Sequence, residues 1–343
     1  MQITDQTVWA GVTVTRARRL RHHWPVLHLR AIVPADRTDA VCRALDACAG
    51  ATNVVVIDGA ARSPRGDLVT ADIARESANE VLDALRALSV DRDGSIALDK
   101  VDLTLSETAE AAKERAPGHG DDAVVWEELD RQVSEGTALT WSFVAFLALA
   151  TQLAGIAALI DSPVLVVGAM VLGPEFGAVA AICYGLVRWQ PVHILQAVRA
   201  LVVGFCVAIA ITYVCALVSR WIGVIELDRL PAERPLTAFI YSPDRWSFIV
   251  ALLAGGAGVL SLTAGKSSAL VGVFISVTTV PAAGNLAVAM ALEHGSEITG
   301  SLLQLAVNFA GMIIAGALTL LVQKALWGMV LRNGRRPAIG RRT

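Results

Sequence analysis

The second half of this chain is a series of long apolar runs, and they decide what it can become. Six are visible: Thr137 to Ile160, Pro163 to Val187, Ala200 to Ser219, Trp246 to Ala264, Ser267 to Leu292 and Ile298 to Val322. Each is near the ~20 residues that carry a helix across a hydrocarbon core about 30 Å thick. Lipid offers no partner for backbone N–H and C=O groups, so each run must bond internally as a helix. The expectation is a polytopic α-helical membrane protein with about six transmembrane helices. Composition agrees: 55% of the 343 residues are hydrophobic and 17% charged, where a soluble domain has roughly a quarter charged. The charges crowd the segment before Gly136 and the tail after Gln323.

Orientation follows from the Lys and Arg residues between the runs. The basic tail at 324–343 carries Lys324, Arg332, Arg335, Arg336, Arg341 and Arg342, and is expected to be cytoplasmic. An even number of crossings puts the N-terminus on the same side. Arg188, Arg199 and Lys266 then fall in cytoplasmic loops, while Asp161, Glu293, Glu297 and the mixed loop from Ile225 to Arg245 face outward. This pattern fits a cell (inner or plasma) membrane. The start of the chain, 1–24, lacks the apolar core of a cleavable signal peptide. It is a basic arm instead, with Arg16, Arg18, Arg19 and Arg21.

A different periodicity occupies 25–106. Val26 to Val33 alternates as a strand, and Asp36 to Cys48 reads as a helix. Thr52 to Ile57 is a β-branched run, and Asp58-Gly59 and Pro64-Arg65-Gly66 carry turn chemistry. A third strand is expected at Asp67 to Ile73, a helix at Ala74 to Leu88 and a last strand within Gly94 to Leu105. The order βαββαβ predicts a ferredoxin-like α+β soluble domain. Residues 107–136 read as a charged linker with some helix, and 137–323 as the transmembrane domain.

The second and fifth runs resemble each other. SPVLVVGAMVLGP, from Ser162 to Pro174, and SALVGVFISVTTVP, from Ser268 to Pro281, each begin at a serine and reach a proline near mid-run. Small residues follow both, Gly177 and Ala178 in one and Ala282 to Gly284 in the other. The first and fourth runs open on Trp141-Ser142 and Trp246-Ser247. Two units of three crossings make a 3+3 inverted repeat, and Gly/Pro-interrupted segments at matching positions point to a transporter's midplane site. Proline lacks an N–H and frees a carbonyl, which lipid tolerates only where protein or a water-filled cavity satisfies it.

The same residues resemble the DUF389 family of bacterial and archaeal hydrophobic membrane proteins. The likeness is carried by Ser162 to Pro174, by Gly272 to Pro281, and by LLQLAVNFAG from Leu302 to Gly311. It covers roughly Thr137 to Val322. The resemblance implies an integral membrane protein with a preceding soluble domain, and no particular substrate or reaction. Members often carry a Pro-Leu pair after the small-residue stretch, whereas this chain has Pro174-Glu175 and Pro281-Ala282.

Glu175 is the most informative single residue. A charge near mid-span costs about 2.5–3.5 kcal/mol on insertion scales, which makes it a functional-site hypothesis or a structural ion-pair partner. It can bind a cation or carry a proton. Gly173, Pro174, Pro281, Asn285 and Asn308 complete the candidate ion-binding set, and interhelical hydrogen bonding is the alternative role for Asn285, Asn308 and Gln152. Lys266 sits near a cytoplasmic end, where it can snorkel. AGKS at Ala264 to Ser267 lacks the leading glycine of a phosphate loop, with Leu260 in its place. The five cysteines have no metal or disulfide spacing.

The membrane half holds no HExxH, serine elbow or paired carboxylates, so no catalytic residues, metal or cofactor are expected, and the chain does not read as an enzyme. Nucleic acid is not expected as a partner. The expected partners are the lipid bilayer and a small ion or solute, and a homo-oligomer is compatible with the sequence. A transporter or channel whose site lies at two proline-broken helices is the leading expectation. The alternative is a non-transporting membrane sensor or scaffold regulated through the soluble domain.

Overall fold

The structure, a computed structural model, describes residues 26–101, 106–116, 124–225, 234–265 and 278–334. The basic arm, the Pro117 to Gly120 turn, Lys266, the Gly272 to Val277 part of the fifth run and the tail from Arg335 lie outside the described residues. The chain divides into two compact units, Met1–Ala116 and Pro117–Thr343.

In the first unit, strands β1 (Val26–Val33), β2 (Ala51–Arg62), β3 (Arg65–Ala74) and β4 (Ser95–Val101) form one sheet in the order β2-β3-β1-β4. Every neighbouring pair is antiparallel. Helix α1 (Thr38–Ala47) joins β1 to β2, while α2 (Ala78–Ala87) and the short α3 (Val90–Asp93) join β3 to β4. The alternation read in Val26 to Val33 is physical. Leu29, Ala31 and Val33 are buried, and Arg30 between them is exposed. They meet Val69, Ala71 and Ile73 of β3, Val41 and Leu45 of α1, and Val81 and Leu85 of α2. Each such Val, Leu or Ile contributes about 1.5–3 kcal/mol by leaving water.

Two expectations shift here. Asp58-Gly59 is not the turn between β2 and β3. Gly59 takes φ +61° inside β2, where the register slips between Ile57 and Ala61, and the chain reverses at Ser63 and Pro64 instead. The Asp67 carboxylate holds that bulge by accepting from Gly59 N–H at 2.8 Å and from the Thr38 hydroxyl at 2.6 Å. The first part of the charged segment is also ordered against the sheet. Helix α4 (Glu107–Arg115), capped by Ser106, packs on β2 and β3, and Thr108 donates to Asn53 Oδ1 at 2.8 Å.

The second unit is helical. It comprises α5 (Trp126–Gly136), α6 (Trp141–Leu159), α7 (Pro163–Leu172), α8 (Phe176–Arg188), α9 (Pro191–Trp221), α10 (Arg245–Thr263), α11 (Thr279–Ala291) and α12 (Gly295–Gly334). Four of them, α6, α9, α10 and α12, are long and apolar enough to cross a membrane. The α7–α8 pair makes a fifth span if its two halves count as one crossing, with a bend of 55°. The run from Pro163 to Val187 is therefore not one straight helix: Pro174 has no N–H and its ring obstructs the preceding turn. The sixth run and the start of the tail are one helix, because α12 continues to Gly334. The amphipathic lead-in near Val192 is likewise continuous with α9.

Lipid-facing and core-facing surfaces separate clearly. Leu149, Leu195, Leu253 and Leu318 stand exposed on the long helices, and Trp141, Trp189, Trp221 and Trp246 are exposed at helix ends. Apolar flanks with tryptophan at their ends are what a bilayer selects. The apolar helices of this unit are compatible with a membrane protein. Its centre is α11, where Met290 alone among Thr279–Ala291 is exposed. Small residues bring the backbones together there. A Cβ on Gly284 would lie 2.6 Å from the Thr151 carbonyl and 2.7 Å from Gly155 N, so α11 and α6 touch along their backbones. Small residues serve this purpose where lipid supplies no hydrophobic drive between helices.

Candidate functional site

The site begins at the break between α7 and α8. Helix α7 ends at Leu172 and α8 starts at Phe176. The last carbonyls of a helix have no intrahelical donor, and Pro174 brings none. Gly173 and Glu175 are buried at this break. A Cβ at Gly173 would collide with Glu175 Oε2 and with Val280, which explains a glycine there in steric terms.

Glu175 reaches across to the start of α11. Its Oε1 accepts a hydrogen bond from the Thr279 hydroxyl at 2.6 Å. Thr279 is fully buried and opens α11, two residues before Pro281. The two proline positions, distant in sequence, thus meet across one hydrogen bond. Glu175 Oε2 has no hydrogen-bond partner among the described residues, and no described cation pairs with the carboxylate.

Beside it, Thr278 Oγ1 accepts from Gln304 Nε2 at 2.7 Å and from Asn308 Nδ2 at 2.8 Å. Gln304 and Asn308 are buried on α12, and Gln304 Oε1 is a second orphaned oxygen. Residues 170–314 match the family model described as "Domain of unknown function (DUF389)". That stretch runs from the last turn of α7 into α12 and contains every residue of this cluster. The match covers 145 of the 343 residues. No curated protein and no solved structure matches it.

Asn285 joins a different cluster. Its Oδ1 accepts from Arg234 at 3.0 Å, and its Nδ2 donates to Ser301 Oγ at 3.0 Å and to Glu297 at 3.2 Å. Arg234 is fully buried and forms an ion pair with Glu297. It also donates to the Ala158 carbonyl at 3.1 Å and lies 4.7 Å above the Tyr241 ring. Thr237 donates to Asp161 at 2.6 Å, so residues 234–241 are tied down on the ends of α6, α11 and α12. Ile240, fully buried, fills the space between Ala157, Val166, Met170 and Ala282.

The residues singled out in the sequence therefore divide. Gly173, Pro174, Glu175 and Pro281 come together with Thr279. Asn308 reaches the same neighbourhood through Thr278. Asn285 sits with the ion pair. Thr278, Thr279, Gln304, Ser301, Glu297 and Arg234 were not anticipated in the site. A periodicity could have found several of them. Glu297, Ser301, Gln304 and Asn308 recur at spacings of four, three and four, which is one face of a helix. Arg234 had no such signal, because it lies in the mixed loop between runs.

Proposed function

We propose that the membrane unit is a transporter or channel for a small ion or solute, with its central site where the two proline breaks meet. The single observation that carries this reading is the Thr279–Glu175 hydrogen bond, which joins the break after α7 to the start of α11. Discontinuous helices meeting at a polar, apolar-walled point are how transporters build midplane sites. A buried carboxylate without a counter-cation is costly in a bilayer, and function is its usual reason. The polar face of α12 extends the site: Glu297 to Asn308 covers about 16 Å along the helix axis at 1.5 Å per residue.

The same reading includes six crossings and a 3+3 inverted repeat. It is supported by matched helices: α6 and α10 each have 19 residues and a capped start, followed in one case by the broken α7–α8 pair and in the other by α11. Both termini are cytoplasmic in a cell membrane, on the charge asymmetry of the loops. The soluble unit is a ferredoxin-like regulatory module. Its support is the antiparallel order β2-β3-β1-β4 with helical connections from β1 to β2 and from β3 to β4. The function is non-catalytic, with no resident cofactor.

Water access tests the pathway. The five native cysteines are replaced, and single cysteines are placed at 175, 279 or 304 in the full chain. A small aqueous thiol reagent labels them if the breaks line a hydrated route. Protection of all three positions in membranes, under every ionic condition tried, removes the transport reading.

A further inference from the structure

The chemistry where the α7–α8 break meets the start of α11 is one-sided. Glu175 Oε2 and Gln304 Oε1 are buried oxygens without a partner among the described residues. Thr278 and Thr279 are consecutive, so each orphaned oxygen belongs to a side chain bonded to one of two neighbouring residues. The Thr278 oxygen already accepts two N–H donors, which turns the amide of Gln304 so that its carbonyl oxygen points elsewhere. The last-turn carbonyls of α7 lie at the negative end of that helix. Among the described residues, the two unpartnered buried side-chain atoms at this point are both acceptors. Unpartnered buried acceptors of this kind cost about 1–3 kcal/mol each, more for a charged group. An occupant that accepts oxygen ligands relieves all of them together.

We propose that Glu175, Thr279 and Gln304, with the terminal carbonyls of α7, form a binding site for one singly charged cation. This rests on the transport reading above and names its ion. Hard oxygen ligands select alkali or alkaline-earth cations over soft transition metals. The charge count selects among those. One carboxylate supplies a single negative charge, and the hydrogen bond described for it runs to Thr279, not to a second acid. A monovalent ion leaves the buried site neutral, whereas a divalent ion leaves one uncompensated charge in low dielectric. Carbonyl ends of half-helices are suited to sodium or a proton in the same way. Sodium and a proton share this chemistry, since either neutralises Glu175 while Thr279 holds its other oxygen.

The test uses the full chain purified in detergent, with thermal unfolding as the readout. NaCl, KCl and LiCl are titrated against choline chloride at constant ionic strength, each at pH 5.5 and 8. If sodium occupies the site, the midpoint rises with NaCl at pH 8. If the proton does, the midpoint in choline rises as pH falls, and sodium adds nothing. In either case Glu175→Gln abolishes the dependence. Gln304→Leu raises the half-effective sodium concentration at least tenfold, or, in the proton case, shifts the pH midpoint. Thr279→Ser, which keeps the hydroxyl, retains the wild-type response and covers the event that Glu175→Gln does not fold.

A wild-type midpoint that ignores all three salts and shows the same pH dependence as Glu175→Gln overturns the proposal. So does stabilisation by CaCl2 or MgCl2, but by no monovalent salt or proton, that Glu175→Gln removes. Failure here is separable from failure of the pathway. Aqueous labelling at 175 and 304 without any cation effect removes the ion site and leaves the route. A cation effect without labelling or flux in proteoliposomes keeps the site and removes transport.

Discussion

Thr279 donates its hydroxyl proton to Glu175 across 104 positions of sequence, at 2.6 Å, between a residue that opens one helix and a residue that precedes another. Both are buried. The bond satisfies one oxygen of a carboxylate that has no other partner among the described residues. Thr279→Val should therefore cost about 1.5–3 kcal/mol, the usual range for a hydrogen bond to a charged group. Thr279→Ser should recover most of it. Equilibrium unfolding of the detergent-solubilised protein measures both. A Val variant as stable as wild type would mean that the bond contributes nothing net.

The Arg234–Glu297 pair makes a sharper prediction. Arg234 is fully buried and is held by Glu297, Asn285 and the Ala158 carbonyl. Removing one partner strands a charge, so Glu297→Leu should destabilise by roughly 3–5 kcal/mol. Replacing both with apolar residues, Arg234→Met with Glu297→Leu, should restore a large part of that loss, because no charge is then left buried. Unfolding midpoints of the two single variants and the double variant form the cycle that decides it.

Helix contact along α6 and α11 depends on the absence of a side chain. A Cβ at Gly284 would press on the Thr151 carbonyl, Ala154 and Gly155. Those atoms are backbone or a packed methyl and cannot swing aside. Gly284→Val should cost about 1–3 kcal/mol as overpacking. Gly295, which has open space around its Cβ, is the control: Gly295→Ala should change little.

In the soluble unit the pH dependence has a definite sign. The Gly59 backbone N–H, then the Thr38 hydroxyl, hold the Asp67 carboxyl below its ordinary range. Its folded value is thus lower than its unfolded value of about 3.9. The stabilisation is fully present above the unfolded value and is lost as pH falls through the folded one. Amide hydrogen exchange of β2 and β3, corrected for intrinsic rates, should show more protection in wild type than in Asp67→Asn at pH 6. The difference should shrink as pH falls from the unfolded value through the lower folded one. A difference that does not shrink on acidification would assign the effect to something other than charge.

How much of this was legible in advance differs from residue to residue. Leu29, Ala31 and Val33 announce a half-buried strand by alternation alone, since side-chain direction along a strand has period two. Asp58-Gly59 misleads because the same glycine φ serves a hairpin turn and a bulge. Pro174 marks the break between α7 and α8 correctly, because a missing N–H is a local fact. Asn285 looks like the natural counterpart of Glu175, being polar and near Pro281. The structure gives that place to Thr279, which as a short hydroxyl residue in an apolar run draws no notice. Glu297 and Arg234 read as loop charges and are instead an ion pair in which Arg234 is fully buried and Glu297 partly so.

The sequence by itself determined that the second half is helical and apolar enough to cross a membrane, because hydropathy and the need for internal backbone hydrogen bonds are properties of each segment alone. It determined where the backbone is interrupted, and that a glutamate stands at one interruption. Only the tertiary structure decided what that glutamate faces. Partners such as Thr279, Gln304 and Arg234 are selected by which helices pack together, and that depends on small residues such as Gly155 and Gly284 far along the chain. Burial can turn an ordinary threonine into the partner of a membrane carboxylate, and no local pattern records it.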